Sequence, residues 1–205
     1  MKIYGPIVST YVRIVSIAAE EAGLSYEVVP TAADDPNHQH RHPFQKVPSV
    51  EIDGHSLYES VAICQYIDEA HNGAKLQPTE PLERAQMAQW ISVANQYVFP
   101  TTEQGLVLPR LVVPLMGGRP REDLIERALP TIAYQMHVLR RRLEVSPYFA
   151  GDDFSLADIF FYPMLRAVQL TPEGNIFVNE LPAIREWLAR TAQRASVAAT
   201  AWPRE

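Results

Sequence analysis

The sequence predicts an α/β domain followed by an all-helical domain. Strand and helix patterns alternate as far as residue 77, whereas strand patterns nearly vanish from Pro81 onward. The segment from Leu76 to Pro81 contains two prolines and suits a linker. We therefore expect two domains, which cover residues 1–77 and 82–205.

The first domain is expected to have the order strand, helix, strand, loop, hairpin and helix. Its elements are predicted at residues 3–4, 12–22, 26–29, 50–52 with 56–58, and from 60 onward. Gly23 is suited to end the first helix, and Pro30 to end the second strand. The dipeptide Asp53-Gly54 favours the tight turn of a hairpin. Ser60 is expected to cap the last helix of this domain.

The second domain is expected to consist of helices. They are predicted at residues 82–99, 121–143, 155–170 and 182–194. Pro100 is expected to kink or end the first of them, because proline lacks an amide donor and its ring collides with the preceding turn. Residues 109–120 hold three prolines and the pair Gly117-Gly118, and are predicted to form a loop.

Composition argues against several classes of function. A net charge of -6 and a pI near 5.5 speak against a nucleic-acid partner, because phosphate binding needs a concentrated basic surface. The sequence has no apolar stretch of membrane-spanning length and no signal-peptide pattern at its start. The single cysteine, Cys64, excludes an internal disulfide and is expected in the core. These features predict a cytoplasmic protein without a membrane partner.

Two motifs carry a family resemblance. Residues 42–50, HPFQKVPSV, followed by residues 57–63, LYESVAI, are similar to the glutathione-site signature of cytosolic glutathione transferases. Residues 151–159, GDDFSLADI, resemble the folding motif of their helical domain. Within this family the sequence resembles the classes that use a catalytic serine, either the bacterial and phi-like enzymes or the theta-like enzymes. This resemblance implies a thioredoxin-like domain joined to a helical domain, with glutathione as co-substrate.

The first motif suggests how glutathione is held. Val47-Pro48 is a candidate cis peptide that would expose the Val47 amide and carbonyl as an edge for an extended peptide; an ordinary trans bond is the alternative. In the family, this edge holds the cysteinyl part of glutathione. Glu59-Ser60 precedes a helix whose free amides suit the γ-glutamyl carboxylate, although Ser60 could serve only as a cap. Lys46 resembles the family position that meets the glycine carboxylate.

Ser9 is the candidate catalytic residue. It lies between the first strand and the first helix, where its hydroxyl would donate a hydrogen bond to the glutathione sulfur and favour the thiolate. A plain helix cap is the alternative role for Ser9. Tyr4 and Thr10 are the other candidate donors, and Tyr4 is more typical of a core position.

The resemblance implies conjugation of the thiolate to a small hydrophobic electrophile. The second substrate is expected against an apolar wall formed by Ile7, Tyr11, Tyr97, Phe99, Leu106 and Met116. A glutathione-dependent isomerase, dehalogenase or peroxidase would use the same thiolate. A non-catalytic binding or scaffold module is the alternative from another class. The absence of a cysteine near Ser9 argues against thiol-transferase chemistry.

Two further features have competing interpretations. His38, His40 and His42 alternate, so an extended segment would aim all three imidazoles toward a metal, but the loop lacks a further ligand cluster and we expect no metal. One of these histidines could instead touch the glycine carboxylate of glutathione. A catalytic carboxylate is one interpretation of Asp158, but its spacing from Ser155 predicts a capping box and a structural role.

Phe44 is expected at the contact of a homodimer. The family resemblance implies the dimer, and Phe44 is an aromatic residue in a loop just before the glutathione-binding edge. It would enter the helical domain of the partner as a plug. The alternative is that Phe44 folds back onto its own domain.

Overall fold

The structure, a computed structural model, describes residues 1–202 and divides the chain into two units. The first unit comprises Met1–Pro78 together with the C-terminal segment from Ala192 onward, and the second comprises Thr79–Thr191. The boundary between Pro78 and Thr79 lies inside the predicted linker. The grouping of the C-terminal segment with the first unit was not indicated by the sequence.

The first unit is built around a four-stranded mixed sheet. Its elements are β1 (Lys2–Tyr4), α1 (Thr10–Glu21), β2 (Glu27–Val29), β3 (Ser49–Ile52), β4 (His55–Tyr58), α2 (Ser60–His71) and, near the C-terminus, α10 (Ala195–Ala199). The strand order is β2-β1-β3-β4, with β1 parallel to β2 and antiparallel to β3. This is the predicted strand and helix order.

Local sequence explains two of these connections. Gly23, with φ 65°, follows the end of α1 in the left-handed conformation that only glycine adopts without strain. Asp53 and Gly54 both have positive φ, 51° and 79°, as a two-residue hairpin turn between twisted strands requires.

The C-terminal segment is fastened to helix α1. Arg194 makes two hydrogen bonds to the Glu21 carboxylate, at 2.8 and 2.7 Å. The Arg13 guanidinium is almost fully buried and lies 4.6 Å from the centre of the Trp202 ring. Both contacts join residues far apart in the sequence, so helical periodicity alone does not predict them.

The second unit consists of helices joined by loops. Their bounds are α3 Pro81–Val93, a first π-helical segment Ala94–Val98, α4 Phe99–Thr102, a second π-helical segment Glu103–Val112, α5 Val113–Leu115, α6 Glu122–Val145, α7 Leu156–Gln169, α8 Pro172–Glu180 and α9 Pro182–Ala192. Helix α8 was not among the helices predicted from the sequence. Thr171, which accepts a hydrogen bond from the Gly174 amide, and the proline that follows it were the available start signals.

The first long helix does not end at Pro100. It changes to the first π-helical segment and resumes as α4, in which Pro100 is the second residue. In an α-helix the ring of a proline collides with a carbonyl of the preceding turn, and the wider π-helical turn moves that carbonyl away. Proline also lacks an amide hydrogen, and this loss matters least at the start of a helix, where the amide would have no partner. Pro100 therefore coincides with a change of register rather than an end.

The prediction of a loop over residues 109–120 was wrong for its first part. Pro109 lies within the second π-helical segment, and Pro114 is the second residue of α5, so the chain is helical as far as Leu115. The wider π-helical turn relieves the clash of the proline ring at Pro109, and the missing amide matters little at Pro114 near the start of α5. The irregular part begins at Met116 and includes Gly117, whose φ is 83°.

Asp158 has the predicted structural role. It completes a capping box with Ser155 at the start of α7 and is fully buried. It also accepts hydrogen bonds from the Trp187 indole at 2.9 Å and from the Phe149 amide at 3.1 Å. Burial raises the pKa of Asp158 to about 6, against the opposing effect of these donors, so the carboxyl is still an ionised acceptor above neutral pH.

Candidate active site

The three segments that carry the predicted glutathione-binding residues meet at one edge of the sheet. Tyr4, the last residue of β1, pairs with Ser49, the first residue of β3. Ser49 in turn pairs with Tyr58, the last residue of β4. The segments that follow β1, precede β3 and follow β4 therefore lie side by side.

Gly5 lies against both helix α1 and the segment before β3. A Cβ atom at this position would lie 2.6 Å from Val12 Cγ2 and 3.2 Å from Val47 Cβ, so a side chain has no room. Helix α1 and the segment before β3 consequently pack against the same glycine.

Ser9 is the N-cap residue of α1. Its Oγ accepts a hydrogen bond from the Val12 amide at a long 3.4 Å, and the residue is half-buried. A hydroxyl that accepts still carries its own hydrogen, so Ser9 can cap the helix and donate to a thiolate at the same time. The amides of the first turn favour negative charge at the same place.

The two alternative donors are less suitable than Ser9. Tyr4 is buried, its ring lies 4.2 Å from the Arg41 guanidinium, and its hydroxyl is bonded to Glu51. Burial, followed by the hydrogen bond and the charge of Glu51, raises the pKa of Tyr4. Thr10 is also buried, so Ser9 is the most accessible of the three residues.

The Val47-Pro48 peptide bond is cis, as predicted. Val47 is half-buried and directly precedes the proline and β3. Within residues 1–202, neither its amide nor its carbonyl has a hydrogen-bond partner. Two unpaired backbone groups beside a strand can bind an extended peptide as an added strand.

The prediction that Ser60 caps α2 was wrong. The N-cap is Glu59, which makes no capping hydrogen bond through its side chain and has φ 69°. Because the chain turns through Glu59 in the left-handed region, Ser60 is already the first residue of the helix. Within residues 1–202, no side chain caps the amides of the first turn through the N-cap position, and the Ser60 hydroxyl does not serve as the cap. Such a helix start suits an anion.

The three histidines do not point the same way. The amide of His42 donates to the His38 carbonyl at 2.9 Å, so the segment turns like a helix instead of extending. His38 and His42 are buried with ring centres 6.2 Å apart, whereas His40 is exposed. Within residues 1–202, no group of three or more His, Cys, Asp or Glu residues could hold a metal ion.

The two buried histidines contact the segments predicted to bind glutathione. His38 Nε2 lies 2.6 Å from the Lys46 carbonyl oxygen. The His42 ring packs on Tyr58 at 5.0 Å between ring centres, and its Nε2 lies 4.0 Å from Glu59 Oε1. Burial lowers the pKa of His42, with the Glu59 charge acting in the opposite direction. Neither contact was predicted, because the alternation of residues in a loop does not reveal which side chains turn inward.

The remaining predicted site residues differ in exposure. Lys46 is exposed, and Phe44 is 70% exposed with an edge-on contact to the His42 ring at 6.5 Å. Of the residues predicted to face the second substrate, Ile7, Tyr97 and Met116 are exposed and Tyr11 and Phe99 are half-buried. Leu106 is fully buried, and its side chain is not open to a ligand in this structure.

A cleft of about 740 Å³ lies at the opposite edge of the sheet. It is lined by side chains of both charges, among them Lys2, Glu27, Asp53 and His55. Asp53 is already bonded to Tyr66 at 2.9 Å and to His71 at 2.7 Å. The edge that carries Ser9 is therefore the better candidate for chemistry.

Comparison with known proteins shows the family of the chain. Residues 3–75 match the family model of the glutathione S-transferase N-terminal domain, and residues 122–190 match that of the C-terminal domain. Glutathione S-transferase 1 of Zea mays is 31% identical over 203 residues, covering 96% of this chain and 94% of the relative. The chain belongs to the glutathione S-transferase family. Glutathione S-transferase F7 of Arabidopsis thaliana is 30% identical, covering 96% of each chain.

Solved structures of this family share the fold. Glutathione S-transferase III in its apo form matches with a TM-score of 0.88 at 28% identity, covering 97% of this chain and 94% of that one. Glutathione S-transferase I from maize, in complex with an atrazine glutathione conjugate, matches with a TM-score of 0.87 at 27% identity, covering 97% and 95%. The predictions of a glutathione transferase fold and of a glutathione transferase enzyme are confirmed.

Proposed function

We propose that this glutathione S-transferase conjugates the thiolate of glutathione to small hydrophobic electrophiles, with Ser9 as the thiolate donor. The observation that carries the proposal is the register of the sheet, which brings the ends of β1 and β4 and the start of β3 to one edge. That edge offers a hydroxyl, an unpaired stretch of backbone and an uncapped helix start. These groups match the sulfur, the peptide and a carboxylate of glutathione.

The chemistry proposed for Ser9 is stabilisation of the nucleophile. The thiolate and not the thiol attacks carbon, so a donor that lowers the pKa of the bound thiol raises the reactive fraction near neutral pH. The hydroxyl of Ser9 and the start of α1 would act together on the same sulfur. In this scheme Ser9 keeps its own hydroxyl proton and does not take up the proton of the thiol.

The two ends of glutathione are assigned to separate groups. The γ-glutamyl carboxylate is proposed to bind the amides at the start of α2 and the Ser60 hydroxyl, next to Glu59. The glycine carboxylate is proposed to meet the Lys46 ammonium. Between them, the cysteinyl part would pair with the backbone of Val47 beside Pro48.

The electrophile is proposed to contact the apolar residues next to Ser9. Ile7 and Val8 are exposed and Tyr11 is half-buried, which is the character of a wall for an apolar ligand. The helical-domain residues Tyr97, Phe99 and Met116 stay predictions from the sequence.

Within residues 1–202, no helix is both long and apolar enough to cross a membrane. We place the enzyme in the cytoplasm, where its single cysteine would stay reduced.

Calorimetry with glutathione, followed by a turnover panel, tests the proposed function. We expect saturable binding of glutathione and turnover with at least one of four classes: aryl halides, epoxides, isothiocyanates and hydroperoxides. Turnover of hydroperoxides alone would indicate a peroxidase, and binding without any turnover would favour a binding module. Thiol transfer is disfavoured because Cys64 is buried, which raises the pKa of its thiol.

Ser60→Ala is expected to weaken glutathione binding about tenfold and to leave turnover at saturating glutathione within about twofold. The reason is that Ser60 is assigned to a carboxylate remote from the sulfur, where one hydrogen bond to a charged group is worth about 1.5–3 kcal/mol. Calorimetry and steady-state kinetics measure the two effects. Ser56→Ala, which removes an exposed hydroxyl from β4, is the control. A fall in saturated turnover at unchanged affinity would refute the assignment of Ser60.

Phe44→Ala is expected to shift a homodimer toward monomer at low micromolar concentration. An exposed aromatic side chain that rests edge-on against His42 is available as an anchor, and such anchors can contribute about 2 kcal/mol or more to association. In a two-fold dimer the contact would occur twice. Sedimentation velocity measures the shift, with Ile176→Ala as a control that removes another exposed apolar side chain. If both variants stay as dimeric as the parent, Phe44 is not the anchor.

A further inference from the structure

The buried histidines of the loop before β3 have no role in the chemistry proposed above. His38 has no exposed surface, and its Nε2 makes a short hydrogen bond of 2.6 Å to the Lys46 carbonyl oxygen. Because a carbonyl only accepts, His38 must carry a hydrogen on Nε2. Its Nδ1 is buried without a partner within residues 1–202, so the hydrogen bond to Lys46 is the polar contact that the imidazole makes.

The Lys46 carbonyl, which accepts this hydrogen bond, lies next to the backbone that is proposed to bind glutathione. Lys46 directly precedes Val47, whose amide and carbonyl have no hydrogen-bond partner among residues 1–202 and are proposed to pair with the cysteinyl part of glutathione. The Lys46 carbonyl belongs to the same peptide unit as the Val47 amide. Fixing this carbonyl therefore fixes the orientation of the Val47 N–H, because the peptide unit is planar.

Neighbouring contacts hold His38 in place. The carbonyl of His38 accepts hydrogen bonds from the amides of Arg41 and His42 at 2.8 and 2.9 Å. The His42 ring, 6.2 Å away, packs against Tyr58 at the end of β4. One turn of chain is thus anchored to the sheet and directs an imidazole at the peptide before Val47.

We infer that His38 is a positioning residue of the glutathione site, which orients the Lys46–Val47 peptide for pairing with the cysteinyl backbone. The inference rests on the proposed function, since it assumes that this edge binds glutathione. His38 touches neither the sulfur nor the electrophile in this assignment. Its loss should consequently lower affinity for glutathione and leave the chemical step nearly unchanged.

Two substitutions at position 38 differ in reach. The side-chain nitrogen of glutamine stands at the same number of bonds from Cβ as Nε2 of histidine, whereas that of asparagine corresponds to Nδ1. His38→Gln can therefore donate to the Lys46 carbonyl, and His38→Asn cannot. His40→Ala removes an exposed histidine from the same loop and is the matched control.

The test is calorimetry with S-methylglutathione, whose blocked sulfur removes the thiol proton from the measurement. We expect His38→Asn to bind about tenfold more weakly than the parent, and His38→Gln and His40→Ala to bind within about threefold of it. Turnover at saturating glutathione should stay within about twofold in all of them. Equal binding by the asparagine and glutamine variants would overturn the role of His38, whether both are tight or both are weak.

A measurement on the unmodified protein covers the case in which a variant does not fold. Long-range ¹H–¹⁵N NMR spectra report which imidazole nitrogen carries the hydrogen, and we expect His38 to be protonated on Nε2. A hydrogen on Nδ1 alone would overturn the inference. Failure of the parent to bind S-methylglutathione would overturn both the inference and the proposed function, whereas tight binding by every variant would overturn the inference alone.

Discussion

Ser9→Ala is expected to raise the pKa of the bound glutathione thiol by about 1–2 units and to lower turnover near neutral pH about ten- to a hundredfold. A hydrogen bond to a charged acceptor is worth about 1.5–3 kcal/mol, and each pKa unit corresponds to about 1.36 kcal/mol. The pKa of the thiol is expected to rise because of what the donor does. It stabilises the thiolate and not the thiol, so its removal shifts the titration to higher pH, and activity should recover as the pH is raised.

Ultraviolet absorbance of the thiolate, titrated against pH in the binary complex, measures this shift. Ser9 is also the N-cap of α1, so the substitution is expected to cost about 1 kcal/mol of helix stability. Thr171→Ala removes a comparable N-cap in the second unit and separates the loss of a cap from the loss of the thiolate donor. An unchanged titration midpoint in Ser9→Ala, with glutathione still bound, would refute the role of Ser9. In that case Thr10→Val and Tyr4→Phe would test the two other hydroxyls.

Features that depend on a few neighbouring residues were predictable from the sequence. Asp53-Gly54 forms the expected hairpin turn because only a few residue types tolerate two successive positive φ values. The capping box at Ser155 and Asp158 is formed within one helical turn, and its residue spacing is sufficient to recognise it. The motif around Val47-Pro48 located the edge of the sheet at which the site is proposed.

Features that depend on distant contacts were not predictable in this way. Ser60 looked like a helix cap, but Glu59 has a left-handed conformation that the sequence does not reveal for a non-glycine residue. The inward turn of His38 depends on the Lys46 carbonyl, which the folded loop brings within reach of the imidazole. The attachment of the C-terminal segment depends on the ion pair of Arg194 with Glu21. The two residues are 173 positions apart, and the whole second unit lies between them in the sequence. The last two cases were decided by tertiary contacts, which residue spacing along the chain does not reveal.

The Asp158 carboxylate links three elements of the helical unit. It accepts from the amide and hydroxyl of Ser155 at the start of α7, from the Phe149 amide before α7, and from the indole of Trp187 in α9. Phe149 and Trp187 are themselves fully buried, with ring centres 5.1 Å apart. Removing the carboxylate would therefore leave several donors in the core without an acceptor.

Asp158→Ala is expected to lower the free energy of unfolding by about 3–5 kcal/mol, the range for removing one partner from a buried charged network. Asp158→Asn keeps the shape and one accepting oxygen but turns an amide hydrogen toward a donor, so we expect an intermediate loss. Urea denaturation above pH 7, where the carboxyl is ionised, measures both variants. Asp123→Asn is the control, because its exposed ion pairs with Arg121 and Arg127 should contribute no more than about 1 kcal/mol. If Asp158→Ala were no less stable than this control, the carboxylate would not be the acceptor that holds α7 and α9 together.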